Sequence, residues 1–147
     1  MHVNEVVRRK GGTVVTIEPG RSVRELLGLL AEHRIGAVVV SADGARVDGI
    51  VSERDVVRRL HADGDHVLDG TVSQIMTAEV HTCDPDDRID ELMTVMTERR
   101  IRHLPVVADG RLAGIVSIGD VVKQRIAEVQ DERDQLTTYI TGRPQTG

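Results

Sequence analysis

The chain has 147 residues, a net charge of −5 and 39% apolar residues, which suits a small globular protein with its own core. Tyr139 is the only aromatic residue and Cys83 the only cysteine, so the core is aliphatic, stacking platforms for single-stranded nucleic acid are lacking, and no internal disulfide framework can form. The acidic balance argues against a general polyanion binder, no apolar run approaches membrane-spanning length, and the N-terminus lacks the apolar core of a signal peptide; together these give an expectation of a cytoplasmic protein.

Residues 3–10 have the pattern of a short amphipathic helix, with Val3, Val6 and Val7 on one side and Gly11-Gly12 ending it. Thr13 to Ile17 is β-branched throughout and predicts a strand, turned by Pro19-Gly20. Ser22 opens a helix with Glu25 three residues on, the spacing of a capping box, and Val23, Leu26, Leu27 and Leu30 mark its buried face. Ile35-Gly36 ends that helix, and Ala37 to Val40 is a continuous apolar strand. Asp43-Gly44 is a turn signal, Val47 to Val51 returns as a strand, and Asp55 to Leu60 forms a further helix.

The order then recurs. Thr71 to Met76 is a second short helical lead-in, Val80 to Cys83 a strand, and Asp84-Pro85 a turn. Ile89, Leu92, Met93 and Met96 mark a helix face; Leu104 to Val107 and Leu112 to Val116 are strands around Asp109-Gly110; a helix begins at Asp120. With a shift of 66 residues Thr16 falls on Thr82, Pro19 on Pro85, Glu25 on Glu91, Arg34 on Arg100 and Ile35 on Ile101. One residue is dropped after the Asp-Gly turn, and then Gly49-Ile50-Val51-Ser52-Glu53-Arg54-Asp55 falls on Gly114-Ile115-Val116-Ser117-Ile118-Gly119-Asp120. A match this long and in this order is an internal duplication.

Past Asp120 the helical pattern runs to about Thr141. Val122, Ile126, Val129, Leu136 and Ile140 fall on alternating four–three spacing, with Arg133 at the remaining position, a seam for packing on the module or on a second subunit. Residues 142–147 read as a frayed tail. The basic clusters Arg8-Arg9-Lys10 and Arg99–His103 read as solvated helix ends, Cys83 as a structural thiol, and the His61–His66 stretch as a loop with no metal site. No nucleophile elbow, phosphate-binding glycine loop or metal-ligand set is present, so the chain is not expected to be an enzyme.

The doubled Ser-x-x-Asp carries the candidate chemistry. Each Asp sits where a strand ends and a helix starts, and free N–H groups and the helix dipole there favour an anion. The same spacing is close to a capping box, which needs no ligand, and both readings stand at this point. Arg54 places a cation in a helix's first turn, unfavourable without an anion nearby, whereas Gly119 leaves the equivalent place uncharged, so two related pockets of unequal affinity are expected.

The ordered pair resembles a tandem cystathionine β-synthase (CBS) domain pair, or Bateman module. The second copy carries the resemblance most closely, in Arg100-Ile101-Arg102-His103-Leu104-Pro105-Val106-Val107 and Asp109-Gly110-Arg111-Leu112-Ala113-Gly114-Ile115-Val116-Ser117-Ile118-Gly119-Asp120; the first has Val39 where the second has Pro105. The resemblance implies an α/β fold of two pseudo-symmetric β-α-β-β-α repeats packed sheet to sheet, with a long C-terminal helix: repeats at 3–60 and 71–125, helix and tail at 126–147. It implies two clefts that bind adenosine-containing ligands (AMP, ADP, ATP, NAD(P)H or S-adenosylmethionine) and regulate a partner protein, commonly as a homodimer. One implied cleft uses Asp120 and Ser117 on the ribose and phosphate, Val15, Ile35 and Gly36 at the adenine, and Arg102 and His103 at the phosphate. The other uses Asp55 and Ser52, Arg54 at the phosphate, and His81, Ile101 and Arg102 around the base. The alternative is an interaction or oligomerisation protein with empty clefts.

Overall fold

The computed structural model describes residues 1–11 and 14–141, which leaves Thr13 of the first predicted strand and the predicted tail outside the described residues. Helix α1 spans Val3–Arg9, strand β1 Thr16–Ile17, α2 Val23–His33, β2 Ala37–Val40, β3 Gly49–Ser52 and α3 Glu53–Asp63. A 3-10 turn at Asp65–Asp69 leads to α4 (Val72–Ile75), α5 (Ile89–Arg99), β4 (His103–Ala108), β5 (Arg111–Ser117) and α6 (Ile118–Thr141). The fold is thus mixed α/β, with two repeats and a long C-terminal helix.

The first sheet runs β1-β2-β3, with β1 parallel to β2 (Ile17 opposite Val40) and β2 antiparallel to β3. The second holds β4 and β5 as an antiparallel pair. The strand predicted at Val80–Cys83 shrinks there to one parallel bridge, Cys83 to Val106, in the register that Ile17 makes with Val40. Cys83 N donates to Pro105 O at 2.9 Å and Val107 N to Cys83 O at 2.9 Å. The next ladder bond would need an N–H from residue 105, and proline has none, so the departure of Pro105 from Val39 costs the second repeat its first strand.

The turns differ too. Asp109 and Gly110 both have positive φ, 53° and 76°, and close β4–β5 as a two-residue hairpin. Asp43-Gly44 lies instead in a wider loop, and β3 starts at Gly49 rather than at Val47. There Asp43 Oδ1 accepts from Ala45 N (2.9 Å) and Arg46 N (2.8 Å), and Asp48 Oδ2 accepts from Ala42 N (2.8 Å). These side chains draw off the N–H groups that a tight hairpin would pair. The capping box expected at Ser22 is half formed: Ser22 Oγ accepts from Glu25 N at 3.0 Å, while the Glu25 carboxylate bonds Arg21.

The two cores exchange their lead-in helices. Val3 and Val6 of α1 pack with Ile89, Leu92, Met96, Leu104, Val116 and Val121 of the second repeat. Val72, with Ile75 and Met76 beside it, packs with Val23, Leu26, Val38 and Val51 of the first. The duplicated glycines are explained by this exchange. A methyl group on Gly49 would lie 2.6 Å from Met76 Sδ and 2.9 Å from the Thr77 carbonyl; one on Gly114 would lie 2.9 Å from both Val7 methyl carbons. Thr77 also bridges Ile50 by two 2.9 Å backbone bonds. Cys83 is buried among the second core, which pushes its thiol pKa up to about 12 by desolvation, with help from Asp87 and Asp84.

Gly49→Ala is expected to destabilise the fold by about 1–3 kcal/mol, as overpacking against backbone does. Gly20→Ala, where nothing lies within 4 Å, should stay within about 0.5 kcal/mol of the parent. Urea unfolding of the two variants checks this; equal midpoints would refute the close-approach account.

Candidate functional site

Both Ser-x-x-Asp motifs sit at strand-to-helix junctions and both close into capping boxes. At α3, Ser52 N donates to Asp55 Oδ2 at 2.8 Å, Ser52 Oγ donates to the same oxygen at 3.0 Å, and Asp55 N donates to Ser52 Oγ at 3.3 Å. At α6, Ser117 N donates to Asp120 Oδ2 at 2.9 Å and Asp120 N to Ser117 Oγ at 3.1 Å. Capping is therefore what these residues do locally, and any further role depends on what surrounds them.

Around Asp55 the surroundings form a cavity of about 570 Å³, within the range of small-molecule sites. It lies between the repeats: Gly36, Ser52, Arg54 and Asp55 line it from one side, Ile101, Arg102 and His103 from the other. These seven predicted residues come from both implied clefts and meet in one place. Glu53, Arg58, Thr77 and Arg100 also line it. Sequence reading passed over these four, although Arg58 follows Arg54 by one helical turn and Arg100 ends α5 in the left-handed region (φ 54°), as Arg34 ends α2.

Four arginines, Arg54 and Arg58 of α3 and Arg100 and Arg102 from the other side, thus line one cavity with Glu53 and Asp55, and among the described residues none of the four forms an ion pair. Like charges gathered at a helix N-terminus raise the local potential and favour an anion. The hydrogen bonds that Asp55 accepts all fall on Oδ2, which leaves Oδ1 without a protein donor among the described residues. A carboxylate held this way can take a pair of hydroxyl groups.

The other predicted residues go elsewhere. Val15 packs on the first core, Ile35 lines a neighbouring hollow of about 500 Å³ that shares Gly36 and Glu53, and His81 lies 3.3 Å from an Arg99 nitrogen. Asp120 is held by Lys10, whose Nζ donates to Asp120 Oδ2 at 2.8 Å and to Ile115 O at 2.9 Å. Lys10 follows α1 and is no solvated helix end; the exchange of lead-in helices delivers it across 110 residues. The bridges of His2 to Arg88 and of Thr71 to Ser22 put the two lead-ins in register, so that Lys10 corresponds to Glu79. One carboxylate receives a tethered cation, and among the described residues the other receives none.

Burial by itself would raise the pKa of Asp120. The charged hydrogen bond from Lys10 and the Ser117 N–H outweigh burial and hold the carboxyl below its ordinary value of 3.8. His103 is shifted down, chiefly by burial and then by Lys10, and meets the cavity as a neutral imidazole at pH 7. Among the described residues no cluster of three or more His, Cys, Asp or Glu side chains could hold a metal ion, and no helix is long and apolar enough to cross a membrane.

A carboxyl whose folded pKa is depressed adds stability above its unfolded value and loses it as pH falls through the folded one. Lys10→Met should lower stability at pH 7 by about 0.2–1 kcal/mol, the range of a partly exposed pair. The gap should close as pH falls below 3.8. Urea titrations from pH 7 to pH 3 measure this, and a gap independent of pH would show that the pair does not govern Asp120.

The CBS domain model matches residues 3–62 and again 72–126. The mitochondrial CBS domain-containing protein CBSX3 of Arabidopsis thaliana is 33% identical over 95% of this chain and 72% of its own length. The crystal structure of the CBS-domain containing protein ATU1752 from Agrobacterium tumefaciens superposes with a TM-score of 0.81 at 48% identity, covering 85% of this chain and 99% of that one. The CBS domain protein PAE2072 from Pyrobaculum aerophilum, solved in complex with AMP, gives a TM-score of 0.72 at 30% identity over 82% of this chain and 89% of its own. The doubled match, the fold and the paired strand-to-helix junctions have one meaning: this chain belongs to the CBS domain family.

Proposed function

We propose that this protein is a non-catalytic regulatory module that binds one adenosine-containing nucleotide per chain, in the Asp55 cavity. The observation that carries the reading is the cavity's chemistry: a capped carboxylate whose second oxygen, among the described residues, has no protein donor, beside four arginines that have no acidic partner among those residues. Asp55 takes the ribose hydroxyls, and Arg54 and Arg102 take phosphate with the α3 N-terminus. The backbone and apolar edges of Ile50 and Ile101 take the adenine. The AMP complex of the relative from Pyrobaculum aerophilum supports the ligand class.

The excess of positive charge favours AMP, ADP, ATP or a nicotinamide dinucleotide over S-adenosylmethionine, which is itself cationic and has no phosphate. The Asp120 cleft is the weaker one because a ribose there competes with Lys10 for the carboxylate. The module works as a cytoplasmic homodimer and passes its occupancy to a regulated protein. The capping boxes equally favour a second reading, an interaction protein whose clefts stay empty, and one titration separates the two.

Isothermal titration with AMP, ATP and S-adenosylmethionine should give one site per chain for AMP or ATP and weaker or no binding for S-adenosylmethionine. Asp55→Asn, which keeps an acceptor for the cap, should cost about tenfold or more in affinity, the worth of a hydrogen bond to a charged group. Asp120→Asn should leave affinity near the parent's. If neither AMP nor ATP binds at millimolar concentration, or if both Asn variants lose affinity equally, the proposal fails.

A further inference from the structure

Outside the Asp55 cavity, Arg21, Arg24, Arg46, Arg59, Arg88 and Arg125 each pair with a carboxylate. The four arginines that line the cavity have no such partner among the described residues. For Arg58 a partner stands in the sequence. It follows Asp55 by three residues, a spacing at which opposite charges on a helix meet, and Arg59 makes a pair of this kind with Asp63. Asp55 turns back to its own helix start instead, where Oδ2 accepts from Ser52 N at 2.8 Å and from Ser52 Oγ at 3.0 Å. The cap therefore withholds the carboxylate and leaves the Arg58 charge to the cavity.

Arg100 reaches the cavity through its backbone. It ends α5 with φ 54° and ψ 40°, the left-handed region that favours glycine. The turn there lets four consecutive residues, Arg100 to His103, line one space, which the periodicity of a helix or a strand does not allow. Arg34 ends α2 in the same conformation, φ 54° and ψ 46°, at the duplicated position. It lines the neighbouring hollow, whereas Arg100 lines the Asp55 cavity.

Four guanidinium groups exceed what one phosphate takes up. The three terminal oxygens of a monophosphate are met by the forks of Arg54 and Arg102 together with the start of α3. Arg58 lies one turn beyond Arg54, about 6 Å further along α3, and Arg100 lies two residues before Arg102. A second pair of cations set back from the first meets the next phosphate of a chain. We infer that Arg58 and Arg100 form a second phosphate subsite, so that the cavity takes an adenosine di- or triphosphate in preference to AMP. This deepens the proposed function and rests on its nucleotide site.

Calorimetric titration with adenosine, AMP and ATP, at physiological ionic strength and with magnesium chelated, tests it. The parent should bind ATP about tenfold or more tighter than AMP, the worth of a hydrogen bond between charged groups. Arg58→Gln and Arg100→Gly should each remove most of that preference while AMP affinity stays within about twofold of the parent's. Glycine suits the left-handed backbone at position 100, and retained AMP binding reports that the variant is folded. Arg34→Gly makes the same backbone change and removes the same charge outside the cavity, and should leave the preference as it is. Four results would overturn the second subsite while leaving the nucleotide reading intact: a parent that binds AMP and ATP alike, a preference that survives either cavity variant, equal weakening of AMP and ATP, or an Arg34→Gly as damaging as Arg100→Gly. Binding of none of the three ligands at millimolar concentration overturns both.

Discussion

Each repeat is completed by a helix that belongs, in sequence, to the other, and two glycines set how near that helix comes. Gly49 and Gly114 open the strands that end in the Ser-x-x-Asp motifs. Without side chains there, the chain after α4 reaches β3, and α1 reaches β5. The apolar faces of α1 and α4 are too short to be stable alone. They become so because each closes a core of aliphatic residues with no aromatic to fill the space. The exchange ties the repeats together, and the cavity lies between them.

That same exchange breaks the symmetry that duplication would have left. The two capping boxes are nearly superposable in their bonds, yet one sits beside four arginines and the other beneath Lys10. The difference rests on single residues: Lys10 against Glu79 in the lead-ins, Arg54 against Gly119 in the helix starts. A neutral His103 lies between the two environments, lining the cavity while feeling the charges of Lys10 and Asp120. One carboxylate stays open to the cavity between the repeats, and the other holds the end of α1 in place through Lys10.

Much of this was legible in the sequence because periodicity and repetition are local signals. The aliphatic runs, the Asp-Gly hairpin at Asp109-Gly110 and the duplicated motif all follow from spacing along the chain. What escaped was set at long range. Pro105 was visible as a departure from Val39, but its effect on the strand that ends at Cys83 depends on the pairing of Cys83 with Val106, 23 residues away. Arg8-Arg9-Lys10 has the look of a solvated end because nothing beside it in sequence shows that Lys10 meets Asp120. The residues expected in two clefts were sorted by analogy between repeats, whereas Gly36 and His103 reach the Asp55 side because β2 and β4 border the same space. A motif fixes a local geometry, and the neighbours that give it a use arrive through the fold.

The most direct measurement is a crystal structure of the protein grown with AMP. The account predicts one nucleotide per chain, its ribose on Asp55 and its phosphate among Arg54, Arg102 and the start of α3, with Lys10 still bonded to Asp120. A nucleotide seated on Asp120 with Lys10 displaced, or crystals at millimolar AMP with no nucleotide beside Asp55, would contradict it.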